Sequence, residues 1–378
     1  MPTLNFGSNK MIVNGETIGL EFECDNLTAD EIVQFRRNNP DWKTTRDASV
    51  ESDVTDFGGV VNIKQEKNNR YLPDQERKVI GTEILSPVLD STKCFYDILN
   101  LTSYLEDLGE SPESERSSIH FHISLSSPSL KVLKTIIRLG RHFEVMFFYL
   151  GGMGYKFRGL TNDSIYCRPI TLFGPSCIPY NGNYAQCFNI HDLIKIPEDI
   201  EKFWEIYGDS FAHRDKYSPV RYTWLNLLPM FTYSETYKGT LEFRIFNKSL
   251  NPFFIYTAMY ICKKFSQLAL SMGYSDFKNM DMLNTLSIYE NGKGMALDLL
   301  NKFHELADIS EVIDTAQKII KATPDIDLPN NYVFTHKQVG NYYWRESTYT
   351  PKIIPAKEIK KPIYVDIHVL RGETNGRD

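Results

Sequence analysis

Gly19-Leu20-Glu21-Phe22-Glu23 alternates apolar and charged residues with a period of two, and so do His120-Phe121-His122-Ile123-Ser124 and Gly239-Thr240-Leu241-Glu242-Phe243-Arg244. That is the pattern of a strand with one face on a core and the other on something wet. The wet positions are not the usual mixture of Lys, Thr, Ser and Glu. They are Glu21 and Glu23, His120 and His122, and Glu242 and Arg244. Strands that each point carboxylates, imidazoles or a guanidinium off one face predict a charged active-site floor.

Outward from these stretches, the hairpin signal Asn14-Gly15 separates Met11-Ile12-Val13 from a strand over Ile18 to Glu23. Thr28 to Asn38 is predicted as a helix with Thr28 at its N-cap, Asp30 and Glu31 in its first turn, and Pro40 beyond its end. Trp42 to Val50 reads as strand, turn, strand, and polar Ser52 to Asn69 as a surface excursion. Val79 to Leu85 is a strand that stops at Ser86-Pro87.

Helices are expected over Ser91 to Leu108, Ser129 to Tyr149, Pro252 to Met272 and Ser310 to Lys321, and within Asp192 to Ile206 and Asn279 to Leu306. Tyr222 to Leu228 and Thr240 to Phe246 read as paired strands. Helices are inserted between strands without strict alternation, and no GxGxxG or GxxxxGK[ST] loop occurs. The expected class is α+β with a mainly antiparallel sheet. Residues 1–329 are read as one catalytic domain. Residues 330–378, rich in Pro, Lys and Tyr, are read as an extended C-terminal arm, with Tyr342-Tyr343-Trp344 as its anchor.

With 378 residues, 42% hydrophobic and 24% charged, the chain can bury a substantial core. A net charge of -6 and no Lys/Arg-rich run argue against a nucleic-acid partner. The six cysteines form no CxxC pair and read as reduced core residues. The opening MPTLNFGSNKM has no apolar signal core, and no run of about 18 apolar residues occurs. A soluble, cytoplasmic protein without a membrane partner is expected. A homo-oligomer is left open.

Each charged pair has a bland and a sharp reading. Glu21 and Glu23, at i and i+2, lie roughly 7 Å apart at their Cα atoms. They are either a solvated strand edge or hard oxygen ligands for Mg²⁺. Glu83 alone is weak. His120 and His122, extended by Ser124, suit a metal or a phosphate, against two structural histidines. A zinc site would need a further N or S ligand, which no HExxH or CxxC supplies. Glu242 and Arg244 are a plain ion pair, or a metal ligand beside a guanidinium that grips a phosphoryl or carboxylate group. Arg158, Arg168 and Arg221 are further basic candidates.

Taken in order, the set resembles the amidoligase family of the carboxylate-amine ligase superfamily. A G-x-E-x-E strand is matched by Gly19, Glu21 and Glu23, and a D-x-S stretch after a Trp by Trp42 and Asp47-Ala48-Ser49. T/V-E-x-x-S-P is matched by Thr82 to Pro87, and H-x-H-x-S by His120 to Ser124. An Arg with Y-C-x-P is matched by Arg158 and Tyr166 to Pro169. R-Y-x-x-x-N is matched by Arg221, Tyr222 and Asn226, and T-x-E-F-R by Thr240 to Arg244. Ala48 and Ile119 stand where glycine is more usual.

The resemblance covers about residues 11–320. It implies the fold shared by glutamine synthetase and gamma-glutamylcysteine synthetase, a charged funnel with helices packed outside. It also implies an ATP-dependent ligase that joins a small-molecule or peptide carboxylate to an amine through an acyl phosphate. By the same resemblance, Mg²⁺ or Mn²⁺ ions would sit on Glu21, His120 and Glu242, and on Glu23 and Glu83. His122 and Ser124 would face the nucleotide and Arg244 the γ-phosphoryl. Arg158 and Arg221 would meet the carboxylate or acyl phosphate, and Asp47 the amine or a metal shell. The alternatives are a guanidino kinase-like phosphotransferase on the same fold, a non-catalytic binding or structural protein, and a zinc hydrolase using the His pair.

Overall fold

The computed structural model describes residues 17–46, 79–89, 94–110, 117–125, 128–151, 170, 198–209, 223–231, 237–272, 288–323, 337–339 and 342–344. The fold is α+β with antiparallel strand pairing. Two compact units divide the chain: residues 1–124 with 246–263, and residues 125–245 with 264–378. Among the described residues, no helix is long and apolar enough to cross a membrane.

The first unit is built on β1 (Ile18–Thr28), β2 (Lys43–Arg46), β3 (Val79–Leu85) and β4 (Ser118–Ser124), in the order β2-β3-β1-β4. β1 runs past the expected Glu23 to Thr28, with an irregular register between Cys24 and Leu27. Glu21 is opposite Leu85 on one side and His120 on the other, and Glu23 is opposite Glu83. Strand parity then fixes the faces. Leu20, Phe22, Ile84, Ile119, Phe121 and Ile123 share the apolar face, and all are buried.

Helix α1 (Ala29–Asn38) starts as its sequence demands. The Thr28 hydroxyl accepts from Glu31 N, and Glu31 Oε2 accepts from Thr28 N at 2.7 Å, a reciprocal cap. Its apolar stripe places Phe35 edge-on to Trp42 and Tyr104. α2 (Cys94–Asp107) buries Ile98, Leu101 and Leu105. The returning segment brings Phe246 edge-on to Phe121, with centroids 5.1 Å apart. It also brings Lys248, whose buried ammonium pairs with Asp25 at 2.7 Å and with Glu110. Burial alone would lower the Lys248 pKa, but Glu110 and Asp25 outweigh it and hold the ammonium above its ordinary value.

In the second unit α3 (Leu130–Leu150) is capped by Ser129, whose hydroxyl accepts from Val132 N. α3 is followed by α4 (Ile200–Asp209), β5 (Leu225–Asn226) and β6 (Thr240–Asn247), the last two antiparallel with Asn226 opposite Glu242. α5 (Pro252–Ser271) carries the chain across the unit boundary, and α6 (Ile288–Ala307) and α7 (Ile313–Ala322) follow. Phe147 on α3 stacks with Phe243 and meets Trp224 and Phe265. Buried Glu144 accepts from Ile170 N at 2.6 Å and Trp224 Nε1 at 2.9 Å.

The strand expected over Tyr222 to Leu228 is only Leu225–Asn226 among the described residues, because Leu228-Pro229-Met230 turns into a 3-10 helix. Proline has no N–H for a ladder. Gly239 opens β6 with φ 68°, a conformation that costs glycine little. Helix α4 begins at Ile200, inside the span expected to hold a helix, and Asp199 Oδ1 accepts from Lys202 N at its start. Within residues 330–378 the short antiparallel pair β7 (Lys337–Val339) and β8 (Tyr342–Trp344) is described. Met11-Ile12-Val13 and the excursion after Arg46 lie outside the described residues.

Candidate metal centre

The second face of the first unit's sheet gathers Glu21 and Glu23 from β1, Glu83 from β3, and Ser118, His120 and His122 from β4. It is charged, as expected, but it is not wet: Glu21, Glu23, His120 and His122 are between 3% and 7% exposed. Burying acids this closely is costly unless each is matched by a donor or a cation.

The donors are specific. Glu21 lies between two imidazoles, with Oε2 3.2 Å from His120 Nδ1 and Oε1 2.9 Å from His122 Nε2. Gly19 stands directly opposite His122 in the ladder. Glu23 Oε2 accepts from both the Ser118 N–H (2.6 Å) and the Ser118 hydroxyl (2.5 Å). Ser118 Oγ is also 2.8 Å from His120 Nε2. Glu83 Oε2 accepts from the Thr45 hydroxyl at 3.1 Å. Burial, then the charges of Glu21 and Glu23, push the Glu83 carboxyl up from 4.5 to about 8, against the opposing pull of Thr45.

Glu21, Glu83 and His120 each offer one ligand atom, and these atoms lie within 4.8 Å of one another. Two carboxylate oxygens and an imidazole nitrogen suit a divalent cation of the Mg²⁺ or Mn²⁺ type. The residues present fit a divalent cation, which Glu21, Glu83 and His120 would hold.

Ser124 is buried at the far end of β4, its hydroxyl accepting from Thr17 N at 3.4 Å. Glu242 and Arg244 belong to the second unit. There both oxygens of Glu242 are held, Oε1 by Arg244 at 2.5 Å and Oε2 by the Asn226 amide at 2.6 Å. Asn226 Oδ1 in turn accepts from Leu228 N. Asp47, Arg158, Arg168 and Arg221 lie outside the described residues.

Sequence reasoning missed Ser118 and Thr45 as partners of the acids. Parity was the available signal: Ser118 is two residues before His120, on the same face. Asn226 entered the motif match but not the list of site residues. No family model matches the chain, and no curated protein is similar to it.

Proposed function

We propose that this protein is an ATP-dependent carboxylate-amine ligase of the amidoligase type, with a glutamine synthetase-like funnel. One observation carries the reading: Glu21, Glu83 and His120 converge on the charged face of an antiparallel sheet, with ligand atoms within 4.8 Å. Phosphoryl transfer asks mainly for positioning and charge neutralisation, which such a cluster supplies through bound Mg²⁺ or Mn²⁺.

In this reading Glu21, Glu83 and His120 hold a metal, and Glu23 extends the ligand set. His122 and Ser124 face the nucleotide. By the resemblance, Arg244 would suit a phosphoryl group, Arg158 and Arg221 the substrate carboxylate, and Asp47 the amine. The carboxylate oxygen takes the γ-phosphoryl and ADP leaves. The amine nitrogen then attacks the acyl carbon, loses a proton, and inorganic phosphate departs. The cytoplasm, where ATP and Mg²⁺ are plentiful, is the compartment this chemistry requires.

Hydroxylamine tests it, because this strong nucleophile traps an acyl phosphate as a hydroxamate. Enzyme, ATP, Mg²⁺ and hydroxylamine are incubated with a panel of amino and dicarboxylic acids. Hydroxamate and ADP are expected together, and both vanish in Glu21→Gln. A stable phosphorylated product without hydroxamate or free phosphate would instead make the protein a phosphotransferase.

A further inference from the structure

Exposure rises in order across the charged face of the first unit. Glu21, Glu23, His120 and His122, on β1 and β4, are buried. Glu83 and Leu85 on β3 are half-buried, and Lys43 and Thr45 on β2, at the end of the strand order, are exposed. The acid cluster is therefore closest to water on its β2 side.

Lys43 belongs to that face. The Thr45 hydroxyl donates to Glu83 Oε2 at 3.1 Å, so Thr45 points toward the cluster, and parity puts Lys43, two residues earlier, on the same side. Thr44 and Arg46 fall on the opposite face, where the Thr44 hydroxyl accepts from Arg36 Nε. Among the described residues of β1 to β4, Lys43 is the only Lys or Arg on the charged face. Among the described residues it also has no ion pair. Register sets it in one row with the cluster: Lys43 is opposite Leu85, Leu85 opposite Glu21, and Glu21 opposite His120. With strands about 4.8 Å apart, Lys43 and Glu21 are about 10 Å apart at their Cα atoms.

We propose that Lys43 is a specificity-determining residue whose ammonium takes a second anionic group on the acid substrate. The row holds the parts such a substrate needs. Its reacting carboxylate belongs at the Glu21, Glu83 and His120 cluster. Leu85 gives a short aliphatic spacer an apolar surface, and Lys43 supplies a point charge on a flexible stem at the rim. A cation at the water-facing edge also draws anionic substrates toward a face that is otherwise acidic. An edge-strand lysine that served only to deter edge-to-edge pairing would leave ligand affinity unmoved.

The inference rests on the ligase reading for the carboxylate that reacts, and the experiment separates the two. Calorimetry of the full chain in saturating Mn²⁺ compares glutarate with valerate, which has the same carbon chain and a single carboxylate. The wild type is expected to bind glutarate more tightly. Lys43→Met should weaken glutarate about 10-fold or more and leave valerate unchanged, and Lys43→Arg, which keeps the charge, should restore the preference. Equal affinity of the wild type for the two acids, or none for either, overturns the inference. So does a Lys43→Met that keeps the glutarate preference, or whose loss falls on ATP instead. A preference that depends on Lys43, with no hydroxamate formed from glutarate, keeps Lys43 in its role and removes the ligase reading. Hydroxamate formed from glutarate at equal KM by the wild type and Lys43→Met keeps the ligase and overturns the role of Lys43.

Discussion

Glu23 on β1 and Glu83 on β3 stand directly opposite one another in the antiparallel ladder. Like charges in register destabilise a sheet, and burial, then the charge of Glu21, then that of Glu23 push the Glu83 carboxyl up to about 8.

That elevation has a sign. The unfolded chain releases the Glu83 proton near 4.5, the folded chain near 8. Between those values the folded state binds more protons, so metal-free stability is greatest below the lower value and declines as pH rises through the upper one. Urea denaturation from pH 5 to 9 should show this decline, with a shallower slope in Glu83→Gln. Saturating Mg²⁺ should reverse the trend, since ligation favours the ionised carboxylate. An unchanged slope in Glu83→Gln would mean that another group controls it.

Lys248 provides a stability test away from the metal centre. Its side chain and that of Glu110 are both 0% exposed. Lys248→Met leaves Glu110 buried without its cation, at a cost of about 3–5 kcal/mol. Lys248→Met with Glu110→Leu should recover much of that loss in chemical denaturation. If the double variant is no more stable than the single one, the pair is not what matters there.

Glu144 holds two donors at once, Ile170 N and Trp224 Nε1. Glu144→Ala strands both, and each buried unsatisfied group costs about 1–3 kcal/mol. Glu144→Gln keeps an acceptor oxygen and should unfold at a temperature well above that of the alanine variant. Because the Trp224 indole N–H donates to Glu144, tryptophan fluorescence should change more in Glu144→Ala than in Glu144→Gln.

Glu242 and Arg244 distinguish chemistry from architecture. Alanine at either position removes a buried partner and should lower both stability and turnover. Glu242→Gln retains contacts to Asn226 while losing the charge. It should lose less stability than the alanine variant, with hydroxamate formation down on the order of a hundredfold. Full activity in Glu242→Gln would leave the pair a structural clamp.

Much of this was legible in the sequence where one strong local signal decided the element. Thr28 and Glu31 announced α1, Ser129 announced α3, and the alternating stretches placed Glu21, His120 and Glu242 on single faces of β1, β4 and β6. Long-range features were less legible. No local rule says that Lys248 returns to Asp25, or that Ser118 spends its proton on Glu23, since both follow from register between distant strands. The burial of the charged face was also misjudged, because alternation reports two chemically different faces, not which of them meets water. The Pro229 turn cut short a strand that composition alone would have continued.

Lys248 pairs with Glu110 across 138 positions of sequence and with Asp25 across 223. During synthesis at about 5–20 residues per second, the acids of the first unit leave the ribosome many seconds before their cation exists. Residues 125–245, which lie between Glu110 and Lys248, belong to the second unit. Translation therefore delivers the first unit's two pieces on either side of a long insertion, and its native ion pairs close only after the insertion has emerged. A nascent chain halted before Lys248 should expose its early strands to protease, while one halted beyond Lys263 should protect them.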